Sequence, residues 1–90
     1  MHRFVIERDI PSVGSFDGDQ LRAASKTSNT ALSDLAPRIQ WEHSYVANDK
    51  TFCVYLAEDE AAIHDHAKRS GFPANRITRI SSMIDPTTAN

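Results

Sequence analysis

The side chains best suited to binding a metal ion lie in two neighbouring segments near the middle of the chain and in one near its N-terminus. They are His43, Cys53 and Glu7, each within a run rich in β-branched and aromatic residues. An imidazole, a thiolate and a carboxylate together suit a borderline divalent ion such as Ni²⁺, Zn²⁺ or Co²⁺. Their spacing matches no standard metal motif, so the prediction depends on the fold bringing them onto one surface.

Ordinary structural roles for the same residues stay open. His43 could be a half-buried, hydrogen-bonded imidazole, and Cys53 a small buried hydrophobe. The tripeptide His64-Asp65-His66 resembles a chelating sequence, but residues two apart on a helix point to different sides. We therefore expect its two imidazoles not to share one ion.

Motifs for the common catalytic mechanisms are absent. The chain has no glycine-rich phosphate loop and no HExxH, CxxC or GxSxG sequence. Cys53 and His43 could form a thiolate–imidazolium pair, but a cysteine on a strand lacks the helix N-terminus that commonly activates such nucleophiles. The sequence favours binding over catalysis, and it identifies no catalytic residue.

Six secondary-structure elements would position these side chains. Residues 3–8 form a first strand pattern, and Asp17 with Gln20 predicts a capping box that opens a helix of about 17 residues ending at Pro37. Residues 40–46 and 51–56 then predict a hairpin around a turn at 47–50.

A second helix is predicted over about residues 59–70, from acidic residues at its start to Gly71 at its end, with His66 within its apolar stripe. A final strand pattern follows, marked by Ile77, Ile80, Met83 and Ile84. The order βαββαβ predicts a single α+β domain over residues 1–90 with the ferredoxin-like fold, a four-stranded antiparallel sheet with both helices on one face.

The pairing of the hairpin decides which side chains share a face. An even turn places His43 beside Phe52, Val54 and Leu56, under the helices. An odd turn or a bulge places His43 beside Cys53 and Tyr55, with Glu7 on the helix-free face. We favour the second register because it gathers the ligand-type residues and leaves the apolar residues of the second hairpin strand for the helices.

Composition limits the partners and the compartment. Ten Lys and Arg against 12 Asp and Glu give a net charge of −2, without the basic excess that nucleic-acid binding usually needs. The single cysteine fits a reducing compartment, and neither a signal-peptide core nor a membrane-length apolar run is present. We expect a cytoplasmic protein that binds neither nucleic acid nor membrane.

Two motifs are the most specific in the chain: W-x-H-S-Y-V over residues 41–46 and D-K-x-x-C-x-Y over residues 49–55. Together with residues 4–9, 61–67, 71–73 and 84–88, they resemble a family of small bacterial proteins of unassigned function that are often labelled nickel-binding. The resemblance implies a ferredoxin-like fold, usually a dimer, and nickel binding. His43, Cys53, Glu7 and His66 match positions of the family pattern and are the expected metal ligands.

The leading hypothesis is a homodimeric protein that binds a divalent transition metal, Ni²⁺ by the resemblance, for storage, buffering or sensing. A thin core and an apolar helix-free face, to which Val5 and Ile80 or Ile84 would contribute, favour self-association through that face. An alternative is a small enzyme or carrier with a ligand pocket between the paired sheets. There His43 would act as general base, and Tyr45 and Tyr55 would contact the small molecule. A third hypothesis is a protein-interaction module in which all of the polar aromatic residues have structural roles.

Overall fold

The computed structural model describes residues 1–90, which form four strands and two α-helices. In chain order these are β1 (His2–Asp9), α1 (Gly18–Leu35), β2 (Ile39–Val46), β3 (Lys50–Ala57), α2 (Glu60–Ser70) and β4 (Arg76–Arg79), with short 3-10 turns at Val13–Ser15 and Pro86–Ala89. No helix is both long enough and apolar enough to span a membrane.

Both helices begin and end where local side-chain chemistry predicts. Asp17 accepts a hydrogen bond from the Gln20 backbone N–H at 2.8 Å, and the Gln20 side chain accepts one from the Asp17 backbone N–H at 2.9 Å. Asp59 caps α2 by accepting from the Ala62 N–H at 3.0 Å, and Gly71 ends it in the left-handed conformation with φ of 78°. The capping box and both helix predictions are confirmed, because these signals act within a few residues.

The sheet has the order β2-β3-β1-β4, and all of its pairings are antiparallel. Both helices pack on one of its faces, where the core forms from Phe4, Ile6, Leu35, Ile39, Cys53, Tyr55, Ala57, Ala62 and Ile63. This arrangement confirms the predicted ferredoxin-like α+β fold.

The last strand is shorter than the sequence predicts. β4 ends at Arg79, and Met83 and Ile84 are 75% and 79% exposed. The partner strand β1 is close to its first residue at this point, since the Ile80 N–H donates to the Arg3 carbonyl at 2.8 Å. β1 begins at His2, so Met83 and Ile84 lie beyond the part of the sheet that could pair with them.

The favoured hairpin register is wrong. His43 pairs with Val54 and Tyr45 with Phe52, so the turn is even, while a bulge between Trp41 and His43 changes the pairing beyond it. Directly paired residues share a face, so His43 and Tyr45 lie with Phe52 and Val54. The prediction for an even turn placed His43 under the helices, but in the structure these four residues lie on the helix-free face.

The helix-covered face is determined by β1. Phe4, Ile6 and Arg8 are buried on that face, and Ile6 pairs directly with Cys53 across β3. The Ile6 pairing therefore carries Cys53 under the helices, together with Tyr55. The sequence-based choice had assigned the more apolar alternate residues of β3 to that side.

Candidate functional site

The four predicted metal ligands fall on opposite faces of the sheet. His43 and Glu7 lie on the helix-free face, whereas Cys53 and His66 lie beneath the helices. No three His, Cys, Asp or Glu side chains within one chain are close enough together to hold a metal ion. The four residues therefore do not form one site in a single chain.

Glu7 is engaged by two cationic side chains. Its carboxylate lies 3.2 Å from the Lys50 Nζ and 3.8 Å from the Arg76 Nε, and its side chain is 22% exposed. A metal ion binding to Glu7 would have to displace these ion pairs. The structure gives this residue a role in neutralising charge on the helix-free face.

His43 is the exposed candidate ligand on that face. Its ring contacts the ring of Tyr45 edge-on, with centroids 5.0 Å apart and planes at 82°. Tyr45 is itself 62% exposed. Solvent and a second protein surface can therefore reach the His43 imidazole.

His66 is fully buried between the two helices and the sheet. Its Nε2 lies 3.2 Å from the Ser28 Oγ, and its Nδ1 is buried without a hydrogen-bond partner. Burial, and secondarily the positive charge of Arg8, lower the pKa of His66 to about 4. The imidazole is therefore neutral at pH 7, and an ion in solvent has no access to it.

Cys53 and Tyr55 line a pocket of about 440 Å³ on the helix-covered side of the sheet. The pocket lies between the first half of α1, the segment 10–16 that precedes it, and the sheet. Its apolar lining includes Val13, Phe16, Leu21, Ala24, Trp41 and Phe72. The Cys53 thiol is free and buried, with its Sγ 3.5 Å from the Thr51 Oγ1.

The two tyrosines predicted to contact a small molecule are separated by the sheet. Tyr55 lines the pocket and is 2% exposed, while Tyr45 lies on the helix-free face beside His43. Burial is the main cause that raises the pKa of Tyr55, so its phenol is protonated at neutral pH. A ligand within the pocket can contact Tyr55 but not Tyr45 or His43.

Arg8 is a residue of this pocket that sequence reasoning missed. Its side chain is 2% exposed, and its guanidinium donates to the Pro73 carbonyl at 2.7 Å and to the Tyr55 hydroxyl at 3.3 Å. A usable signal was present, because Arg8 alternates with Phe4 and Ile6 on one face of β1.

Comparison with known proteins identifies the family. Residues 4–80 match the family model described as "Nickel responsive protein SCO4226-like". The chain belongs to this family. This match confirms the family resemblance that the sequence indicated. All of the candidate side chains described above lie within the matched residues.

A solved structure supports the fold of this SCO4226-like protein. The crystal structure of SCO4226 from Streptomyces coelicolor A3(2) is similar, with a TM-score of 0.76 and 16% sequence identity. The similarity covers 91% of this chain and 99% of that chain. None of the curated proteins matches the chain.

Proposed function

We propose that this protein is a homodimer that binds Ni²⁺ through the helix-free face of its sheet, with His43 as the principal ligand. The observation that supports the proposal most directly is the exposed imidazole of His43 on that face. Imidazole is a good ligand for Ni²⁺, and the name of the family refers to a response to nickel.

An apolar strip on the same face supports self-association. The strip crosses the centre of the helix-free face and consists of Val5, Phe52, Val54 and Leu56. Val54 is 9% exposed, and the other three are half-buried. Charged pairs flank the strip, with the Arg3 Nε 2.9 Å from Glu42. An apolar centre with a polar rim is the usual anatomy of a protein interface.

A second subunit would also supply the missing ligands. One chain offers too few clustered side chains for a metal centre. Pairing the helix-free faces about a two-fold axis makes two copies of His43 available to the same interface. Burying about 800 Å² on each subunit, the standard interface size, would stabilise a domain whose own core is small.

Reversible binding at such an interface suits metal storage, buffering or sensing. A site with few protein ligands keeps open coordination positions and exchanges its metal more readily than a closed structural site, in which protein ligands fill the coordination sphere. A sensing role would further require that metal occupancy change the association of the two subunits, since ligand binding shifts an equilibrium only through differential affinity.

Isothermal titration of the metal-free protein with Ni²⁺ and Zn²⁺ tests the proposal. We expect the wild-type protein to bind Ni²⁺ and the His43→Ala variant to lose at least tenfold in affinity. His64→Ala is the matched control, because His64 is also exposed but lies on α2. Cys53→Ser is expected to retain binding, since the thiol is buried on the other face. Equal Ni²⁺ affinity of the wild-type and His43→Ala proteins would refute the assignment.

A further inference from the structure

Arg8 carries a buried positive charge that no carboxylate neutralises. The side chain is 2% exposed, yet no acidic oxygen lies within ion-pair distance of its guanidinium. The neighbouring Asp9 alternates to the opposite face of β1, where it lies 3.6 Å from the Lys50 Nζ. Buried charges in proteins are normally paired, because removing an ion from water is costly.

The protein groups around Arg8 only partly satisfy it. Its hydrogen-bond partners are two neutral oxygens, those of Pro73 and Tyr55, and its guanidinium carbon lies 5.9 Å from the ring centroids of both Tyr55 and Phe72. A guanidinium has five N–H donors, so these two hydrogen bonds leave others available. The nearby His66 is no counter-ion either, because an imidazole is neutral or positively charged and never negative.

The pocket into which Arg8 faces is otherwise mainly apolar. Its volume of about 440 Å³ lies within the range of small-molecule sites, roughly 300–1,000 Å³. Leu21 and Val46, which line it, are 38% and 47% exposed and give the pocket an apolar entrance. Ser28 and Thr51 also line it, and their hydroxyl groups contact the His66 Nε2 and the Cys53 Sγ.

We propose that this pocket binds a small organic monocarboxylate with an apolar body, whose carboxylate pairs with Arg8. One guanidinium matches one negative charge, and its planar N–H groups match the two oxygens of a carboxylate. The apolar lining removes the hydrocarbon part of the ligand from water. This site lies across the sheet from His43 and does not depend on nickel binding.

Octanoate is a suitable probe, and the chain contains its own reporter. Trp41 is the only tryptophan, and it lines the pocket. We expect octanoate to change the Trp41 fluorescence in a saturable way. Octan-1-ol has the same alkyl chain without the charge and is expected to bind at least tenfold more weakly. Octanoate that fails to bind the folded wild-type protein, or that binds no more tightly than octan-1-ol, would overturn the proposal.

Two neighbouring alanines on α1 locate the binding. Ala24 lines the pocket, whereas Ala23 is exposed on the outer side of the helix. Ala24→Phe should fill the pocket and reduce octanoate affinity at least tenfold, while Ala23→Phe should leave it within about twofold. Equal octanoate affinity of these two variants would show that the ligand binds elsewhere and would refute the site.

Replacing Arg8 tests the charge directly. Arg8→Gln keeps hydrogen-bonding capacity but removes the positive charge, so the preference for octanoate over octan-1-ol should disappear. A retained tenfold preference in folded Arg8→Gln protein would contradict the pairing of Arg8 with the carboxylate. If this variant does not fold, the comparison of the two ligands on the wild-type protein still decides the proposal.

Discussion

Acidification below about pH 6.5 should destabilise the protein through His66. The folded state holds this imidazole neutral, with a pKa of about 4 against an ordinary value near 6.5. Between these two pH values the unfolded chain binds a proton that the folded chain does not. The contribution of neutral His66 to the free energy of unfolding is therefore fully present above about pH 6.5, and it decreases as the pH falls towards 4.

The magnitude follows from the difference between the two pKa values. At about 1.4 kcal/mol per pKa unit, the full effect is about 3 kcal/mol. Its physical origin is the complete burial of the ring, reinforced by the positive charge of Arg8. A loss of this size is a large fraction of the stability of a small domain.

Urea unfolding at pH 7.0 and pH 4.5 measures this effect. We expect the wild-type protein to lose about 2–3 kcal/mol more between these pH values than the His66→Gln variant, which has no titrating group at this position. His64→Gln is the control, because His64 is exposed on the same helix and should leave the wild-type pH dependence intact. Equal pH dependence of the wild-type and His66→Gln proteins would refute the reasoning.

The sequence predicted those features that depend on neighbouring residues. The capping box of Asp17 and Gln20 and the left-handed Gly71 are local signals, and each lies at the expected helix end. The order of elements then leaves few compact topologies, so the ferredoxin-like sheet followed from correct local assignments.

The face of the hairpin could not be predicted in the same way. A one-residue bulge between Trp41 and His43 puts Trp41 under the helices while His43, two residues later, lies on the opposite face. The pairing of Cys53 with Ile6 joins residues far apart in the chain, and it decides which side the helices cover. Hydrophobicity alone was a poor guide, because both faces of the central β3 are largely buried.

The prediction about the dimer is that the wild-type protein sediments at close to twice the 10.0 kDa chain mass at micromolar concentration. Phe52→Glu, which places a charge in the apolar strip, should give monomers, and dimeric Phe52→Glu protein would contradict an interface at this face. In the core, Ile6→Ala should lower the free energy of unfolding by about 3 kcal/mol, whereas Met83→Ala, at a 75% exposed position, should change it by less than about 0.5 kcal/mol. Similar urea midpoints for these two variants would contradict the assigned core. Finally, saturating octanoate should leave the Ni²⁺ affinity unchanged within about twofold, because Arg8 and His43 lie on opposite faces of one hydrogen-bonded sheet. Allosteric coupling typically changes affinity at least fivefold, so a change of that size in a nickel titration would show that the two faces are linked.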